Sequence, residues 1–180
     1  MHSSRLKILM LGLLTLPLLV ACGKVEERFA SPDWAIGGAE VLTVYKSRSC
    51  GCCKKWIDHI DVEGFETDVQ HPSSLKLIKD RYRIAPNLRS CHTSVSSQGY
   101  VFEGHIPARY IQQFLANPPS DAVGLTVPAM PLGSPGMEAE DRFRAYQVLL
   151  MKKDGNTEVF VSVENPAQQY QPGDQQEVQL

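Results

Sequence analysis

The chain has little excess charge, few cysteines and no internal repeat. Its 180 residues carry 18 Lys and Arg against 20 Asp and Glu, a formal net charge of −2, which argues against a polycationic nucleic-acid-binding surface. Five cysteines are too few for a small domain held together by disulfides. The remaining composition, 43% hydrophobic and 21% charged, is ordinary and excludes collagen, coiled coil and wholesale disorder. A single domain with terminal extensions fits this length.

The apolar run near the N-terminus, residues 8–20, is too short and wrongly flanked for a membrane-spanning helix. Arg5 and Lys7 precede it, and a Leu-Val-Ala-Cys sequence ends at Cys22. This pattern is typical of a secretory signal, and its ending resembles the bacterial lipobox, in which the cysteine is lipidated. A plain signal with a coincidental cysteine is the alternative. The sequence predicts removal of residues 1–21 and a protein lipid-anchored on the periplasmic side of a bacterial membrane.

Residues 22–40 predict a tether, residues 41–163 a folded domain, and the Gln-rich residues 164–180 a disordered tail. Apolar periodicity, caps and turn residues predict the elements of the domain. In chain order these are a strand at 41–46, a helix at 52–62, a strand at 65–69, a helix that is capped by residues 71–74 and runs to about 82, a hairpin of 93–96 and 99–103, a helix from 107 to 117, and a hairpin of 145–152 and 157–163.

A C-x-x-C sequence stands directly after the first predicted strand and opens the first helix. With the order strand, helix, strand, helix, hairpin, helix, this placement predicts an α/β protein with a thioredoxin-like core. A long Pro- and Gly-rich loop at 118–141 and the last hairpin are then additions to that core. Loops of this length in a domain are usually functional or disordered.

Three thiols, Cys50, Cys52 and Cys53, crowd the predicted helix N-terminus. The unpaired N–H groups and the helix dipole there favour thiolate over thiol. The spacing of Cys50 and Cys53 suits a disulfide or a metal ion. A dithiol oxidoreductase needs no third thiol, and a spare one invites disulfide scrambling in an oxidising compartment. The cluster therefore favours ligands for a soft metal over a redox pair or three buried structural cysteines.

Further candidate ligands stand in later segments. Cys91 and His92 precede the third predicted strand, where a thioredoxin-like topology faces the C-x-x-C turn, although a lone cysteine there is often buried filler. His105 lies at a junction between hairpin and helix, a place where histidine is often only a cap or a surface group. Met130 and Met137 lie in the Pro/Gly loop and suit Cu(I), although methionine also fills gaps in cores.

By ligand type, thiolates with one or two imidazoles suit Zn²⁺ and Cu(I) equally. Structural zinc sites usually spread their ligands as two distant pairs. Successive helical residues are rotated by about 100°, so Cys52 and Cys53 bridge neighbouring ions more readily than they chelate one. Thiolate-bridged clusters are typical of Cu(I). The sequence therefore favours copper, with more than one Cu(I) ion, over zinc.

Five motifs follow one another across nearly the whole expected domain. They are KSRSCGCCKKWI at 46–57, LRSCHTS at 88–94, GYVFEGHIP at 99–107, AVGLTVP at 122–128 and MPLGSPGME at 130–138. Together they resemble the CopG-type family, bacterial metal-binding proteins often associated with copper resistance. The resemblance implies a thioredoxin-like fold and a C-x-C-C copper site. It matches the family's thiols to Cys50, Cys52, Cys53 and Cys91, and its histidine-bearing motifs to His92 and His105.

Two functions of different classes remain open from the sequence. The first is a periplasmic copper-binding protein that holds Cu(I) in a thiolate cluster and contributes to copper resistance, with cycling between Cu(I) and Cu(II). The second is an enzyme, a thiol–disulfide oxidoreductase using Cys50 and Cys53. A zinc-stabilised structural lipoprotein is a weaker third. Expected partners are copper ions, other periplasmic copper-handling proteins and a membrane through the lipid anchor, but no nucleic acid.

Overall fold

The computed structural model describes residues 39–170, which belong to one structural unit. The predicted signal peptide, Cys22 and nearly all of the predicted tether lie outside the described residues, as do residues 171–180. No helix within residues 39–170 is long and apolar enough to cross a membrane.

Strands and helices alternate through the first part of the described chain, and strands dominate the last part, so the predicted α/β class is confirmed. The elements are β1 (Val41–Tyr45), α1 (Gly51–Val62), β2 (Glu66–Gln70), α2 (Leu75–Arg81), β3 (Thr93–Ser96), β4 (Val101–Glu103), α3 (Ala108–Ala116), β5 (Ala122–Thr126), β6 (Tyr146–Lys152) and β7 (Thr157–Val163). Short 3-10 turns occur at Pro86–Leu88 and Pro166–Gln169.

The seven strands form one mixed sheet in the order β2-β1-β3-β4-β5-β6-β7. Because β1 and β3 run antiparallel with Tyr45 opposite Thr93, the end of β1 lies beside the start of β3. Thr93 is in turn opposite Glu103, so the end of β4 reaches the same edge. Three segments that are distant in sequence therefore meet where these strands end: the turn from β1 into α1, the segment before β3 and the segment after β4.

The main core lies between one face of the sheet and the helices α1 and α3. α1 buries Trp56, Ile57 and Ile60, which recur at helical spacing, and α3 buries a stripe that includes Ile111 and Phe114. Full burial of side chains of this kind stabilises the fold by roughly 1.5–3 kcal/mol each relative to exposure. The core thus packs α1, whose N-terminus carries the cysteines, against the sheet.

The prediction of a continuous loop at 118–141 is wrong between residues 122 and 126, which form β5 in the interior of the sheet. In the sequence, Gly124 breaks the run of apolar residues by which a strand is recognised. Its backbone approaches β4 so closely that an added Cβ would lie 1.8 Å from the carbonyl oxygen of Val101. The glycine is therefore required by close strand packing and does not mark a loop. The closing hairpin extends the same sheet through β5.

The prediction of a disordered tail from residue 164 is wrong for residues 164–170. Gln169 is almost fully buried: its Oε1 accepts a hydrogen bond from Tyr146 Oη at 2.6 Å and its Nε2 donates one to Gly133 O at 3.0 Å. Arg109 Nη1 also donates to Tyr170 O at 2.7 Å. A glutamine-rich composition favours disorder, but here both the oxygen and the nitrogen of the Gln169 side-chain amide have hydrogen-bond partners inside the protein.

Candidate metal centre

The first side of the site is the N-terminus of α1. Cys50 is the N-cap residue, and its sulfur accepts a hydrogen bond from the Cys53 N–H at 3.4 Å. The unpaired N–H groups of this helix end make a partially positive environment beside the cysteine sulfurs. Cys53 is fully buried, whereas Cys50 and Cys52 are partly accessible. The cluster is therefore open to solvent on the side of Cys50 and Cys52.

The fourth sulfur arrives from the segment before β3. Cys91 Sγ lies 3.4 Å from Cys53 Sγ, and Cys52 Sγ lies 3.4 Å from Cys50 Sγ. Cys50 and Cys53 are joined by a disulfide, while Cys52 and Cys91 are free thiols. The sulfur atoms of Cys50, Cys52, Cys53 and Cys91 all lie within 4.8 Å of one another. The structure thus brings together the four cysteine sulfurs that the sequence picked out.

His105 enters the site after β4. Its Nε2 is 3.0 Å from Cys91 Sγ, and its Nδ1 is 2.8 Å from the carbonyl oxygen of Pro135. Because a carbonyl only accepts, Nδ1 carries the proton and Nε2 presents its lone pair toward the sulfur. A histidine that donates its second N–H to a carbonyl in this way is a common arrangement for a metal ligand. Burial lowers the pKa of His105 and favours this neutral form.

His92 lies beneath the same sulfur and is completely buried. Its Nδ1 is 3.3 Å from Cys91 Sγ, and its ring packs against Trp56 and His105 with centroid distances of 4.3 and 5.1 Å. Burial, with His105 nearby, holds its pKa well below the usual range, so the imidazole is neutral. Its Nε2 has no hydrogen-bond partner within residues 39–170, which is unusual for a buried side chain.

Cys91 belongs to both groups of donor atoms. It lies with Cys50, Cys52 and Cys53 in one group and with His92 and His105 in the other, where the three ligand atoms again lie within 4.8 Å. Burial, assisted by the Cys52 thiol, raises the pKa of Cys91 to about 12. Without a metal the thiol is therefore protonated at neutral pH, and a bound cation would displace the proton.

The Pro/Gly loop forms a wall of the site. Gly136 packs so tightly on α1 that an added Cβ would lie 2.6 Å from Cys52 O and 2.7 Å from Trp56 N. At the other end of the loop, Ala129 N donates a hydrogen bond at 3.3 Å to the carbonyl oxygen of Arg89, which lies two residues before Cys91. Met130 directly follows Ala129, and Met137 directly follows Gly136. Met130 is 47% exposed and Met137 is partly buried, and their role as copper ligands stays a prediction.

Sequence reasoning did not single out a buried ion pair behind the site. Lys79 Nζ donates to Glu103 Oε1 at 2.5 Å, and both side chains are buried. Its members are 24 residues apart, on α2 and β4. The one available signal was the position of Glu103 in the motif that ends at His105, because nothing local distinguishes a buried lysine or glutamate from an exposed one.

Together, the sheet and the grouped sulfur and imidazole donors define an α/β protein with a candidate soft-metal site. The chain matches, over residues 88–137, the family described as "Protein of unknown function, DUF411". It also resembles two solved structures named "Copper resistance protein copG", forms 2 and 1, each 37% identical. Form 2 matches with a TM-score of 0.66 over 69% of this chain and 98% of that chain, and form 1 with 0.64 over 68% and 96%. No curated protein matches.

This chain belongs to the CopG-type copper-resistance family. The resemblance recognised from its five motifs is therefore confirmed. The structural match spans almost the whole of the solved relatives.

Proposed function

We propose that this protein binds Cu(I) as its cargo in a cluster of cysteine thiolates and contributes to copper resistance or homeostasis. The observation that carries the proposal is the convergence of four sulfurs and two neutral imidazoles around Cys91. Thiolate sulfur is the ligand type that Cu(I) prefers, and zinc sites with imidazole and thiolate ligands usually hold four donors around one ion. The solved relatives, both named as copper resistance proteins, support copper over zinc.

The grouping of donors supports more than one ion per chain. Six donor residues fall into two groups that share Cys91, which is the arrangement expected where a thiolate bridges neighbouring ions. Cys52 and Cys53 are adjacent in a helix and bridge more readily than they chelate a single ion.

The Cys50–Cys53 disulfide supports a redox step linked to copper. The reduced pair can reduce two Cu(II) ions to two Cu(I) ions: each thiol loses one electron and one proton, and one S–S bond forms. In the disulfide form two of the four sulfurs are no longer thiolates, so binding of the full cluster requires the reduced form. An external dithiol reductant would return the pair to that form.

An anaerobic titration of the reduced protein with Cu(I) tests the proposal. We expect saturation above one ion per chain, with copper–sulfur and short copper–copper distances in X-ray absorption. The disulfide form of the same protein is the control and should take up less copper, because only two of the four cysteines of the site, Cys52 and Cys91, are then free thiols. With Cu(II) instead, two thiols should be lost for every two ions reduced. Saturation at one equivalent with no shared sulfur would contradict the cluster.

A thiol–disulfide oxidoreductase is the second candidate. It is favoured by the disulfide itself and by Cys91 Sγ at 3.4 Å from Cys53 Sγ, a suitable place for an attacking thiol. The raised pKa of Cys91, about 12, counts against Cys91 as the attacking thiol, because a protonated thiol is a poor nucleophile. The structure supports this function less well than copper binding.

We also infer that the first half of the domain is a thioredoxin-like core. In support, β1, α1, β2, α2, β3, β4 and α3 follow in that order, with β2-β1-β3-β4 as neighbours in the sheet. β1 and β2 are parallel, and β3 is antiparallel to both β1 and β4. On this inference β5, β6 and β7 extend the core sheet at the β4 edge.

We propose further that Cys22 is lipidated and holds the protein at the periplasmic side of a bacterial membrane. The support is the signal-like sequence that ends at Cys22. Replacing Cys22 with serine should release the protein into the soluble periplasmic fraction without changing its copper uptake, because the predicted tether separates the anchor from the domain. Fractionation of a bacterial host that processes lipoproteins measures this. Equal membrane retention of both forms would contradict the anchor.

A further inference from the structure

Glu103 is a charged residue that the proposed copper site does not use directly. Its side chain is fully buried at the end of β4. Removing a carboxylate from water is costly unless it is paired and hydrogen-bonded, so a buried carboxylate at this place requires an explanation in its contacts.

Both oxygens of Glu103 bind the segment that carries Cys91 and His92. Oε1 accepts from the Ser90 backbone N–H at 2.6 Å, and Oε2 accepts from Thr93 Oγ1 at 2.6 Å. Ser90 and Thr93 are the residues immediately before and after the Cys91-His92 pair. One carboxylate therefore fixes both ends of this dipeptide.

Lys79 balances the charge of the carboxylate. Its Nζ donates to Glu103 Oε1 at 2.5 Å and to Thr93 Oγ1 at 3.0 Å, and the lysine is 5% exposed. We call Lys79, Ser90, Thr93 and Glu103 the Glu103 network. Its donors come from α2, from the segment before β3 and from β3 itself, so the network ties three parts of the chain together.

The next two residues of the chain continue the same arrangement. Gly104 N donates to His92 O at 3.1 Å, and a Cβ on Gly104 would lie only 2.5 Å from Val127 O and 2.6 Å from Ser90 Cβ. His105 then places its Nε2 3.0 Å from Cys91 Sγ. The Glu-Gly-His sequence therefore positions the backbone on both sides of Cys91 and delivers a donor to its sulfur.

We propose that Glu103, with Lys79 as its counter-ion, is a positioning residue that holds Cys91 and His92 in place for metal binding. The proposal rests on the function proposed above for the identity of the metal. A carboxylate suits this task because one group accepts from a backbone N–H, a hydroxyl and an ammonium at once. Such support around metal ligands commonly determines affinity, since a loosely held ligand loses binding.

Two double variants separate positioning from charge. Lys79→Met with Glu103→Leu removes both charges together and leaves Ser90 and Thr93 without their acceptor. Lys79→Met with Glu103→Gln removes the charges but retains an amide oxygen that accepts from Ser90. Val148→Ala, a cavity variant in the buried core of β6, controls for a general loss of stability. Thr93→Val, which removes the two hydrogen bonds of the Thr93 hydroxyl but keeps the bond from Ser90 N–H to Glu103, provides a milder variant should the Leu variant fail to fold.

The first measurement is made on reduced, copper-free protein. We expect the rate of alkylation of Cys91 relative to Cys52 to rise about fivefold in the Leu variant, because the segment from Ser90 to Thr93 loses both of its buried hydrogen bonds to Glu103. The ratio should rise less in the Thr93→Val protein and stay near the wild-type value in the Gln variant and in Val148→Ala. Equal ratios in the Leu and Gln variants, or a Thr93→Val ratio no higher than that of Val148→Ala, would overturn the proposal.

The second measurement is Cu(I) uptake by the same proteins. The Leu variant should lose at least one ion, or bind copper about 10- to 100-fold more weakly, whereas the Gln variant retains its copper. Failure of the two proposals is distinguishable. If the wild-type protein takes up no Cu(I), the proposed function falls, but the alkylation ratio still decides the role of Glu103. If wild type and the Leu variant bind copper equally well, the positioning role is wrong and the copper function stands.

Discussion

Replacing Cys91 with alanine should remove most of the Cu(I) capacity of the reduced protein. Cys91 is the sulfur shared by the group of four thiols and the group with His92 and His105, so its loss breaks both. We expect at least one fewer ion per chain and about 100-fold weaker binding of the copper that remains. This is a larger loss than removal of a residue that only supports a ligand would cause. Anaerobic competition with a Cu(I) chelator measures both quantities.

Ser94→Ala is the matched control for this experiment. Ser94 is buried on β3, three residues after Cys91, and belongs to neither group of donor atoms. Its copper uptake should equal that of the wild type. Undiminished uptake by the Cys91→Ala protein, with unchanged sulfur coordination in X-ray absorption, would show that the two groups do not act as one site.

The Cys52→Ala variant separates the two candidate functions. If copper is the cargo, loss of this bridging thiolate should lower the number of bound Cu(I) ions and change the redox response of the remaining copper. If thiol exchange is the function, the Cys50–Cys53 pair remains intact and disulfide reductase turnover should persist. We expect reduced copper uptake and no substantial turnover. Stability should change by no more than about 0.5 kcal/mol, because Cys52 is partly exposed.

Each variant is loaded without oxygen, assayed for metal and thiols, and tested for turnover with a protein disulfide substrate. Cys50→Ala is the comparison, since it destroys the C-x-x-C pair and the four-sulfur group at once. Full copper uptake by Cys52→Ala together with strong turnover that Cys50→Ala lacks would establish the oxidoreductase instead.

Local patterns predicted most elements of the domain. Trp56, Ile57 and Ile60 recur at the spacing that buries one side of a helix, and the structure has α1 there. The apolar residues of β1 and the turn residues between β6 and β7 were equally informative. β5 was missed because Gly124 breaks the apolar strand pattern, and the reason for the glycine is its close approach to Val101 of the neighbouring strand β4. The order of residues 164–170 was missed because it depends on hydrogen bonds to distant residues on α3, on β6 and at Gly133.

The sequence by itself determined which donor residues the site has available and, through its motifs, the family of the protein. Side-chain chemistry and the spacing of neighbouring residues are local properties of the chain. Cys50, Cys52 and Cys53 therefore lie within one helical turn, wherever the helix packs. Only the tertiary structure decided what meets Cys91. The contact between Cys91 and His105, and the hydrogen bonds that Glu103 accepts from Ser90 and Thr93, depend on the register of β3 against β4. The Pro135 carbonyl that orients His105 comes from a loop 30 residues away. Sheet register and loop packing are set by burial across the whole domain, because many distant apolar contacts act together, and no local pattern records them.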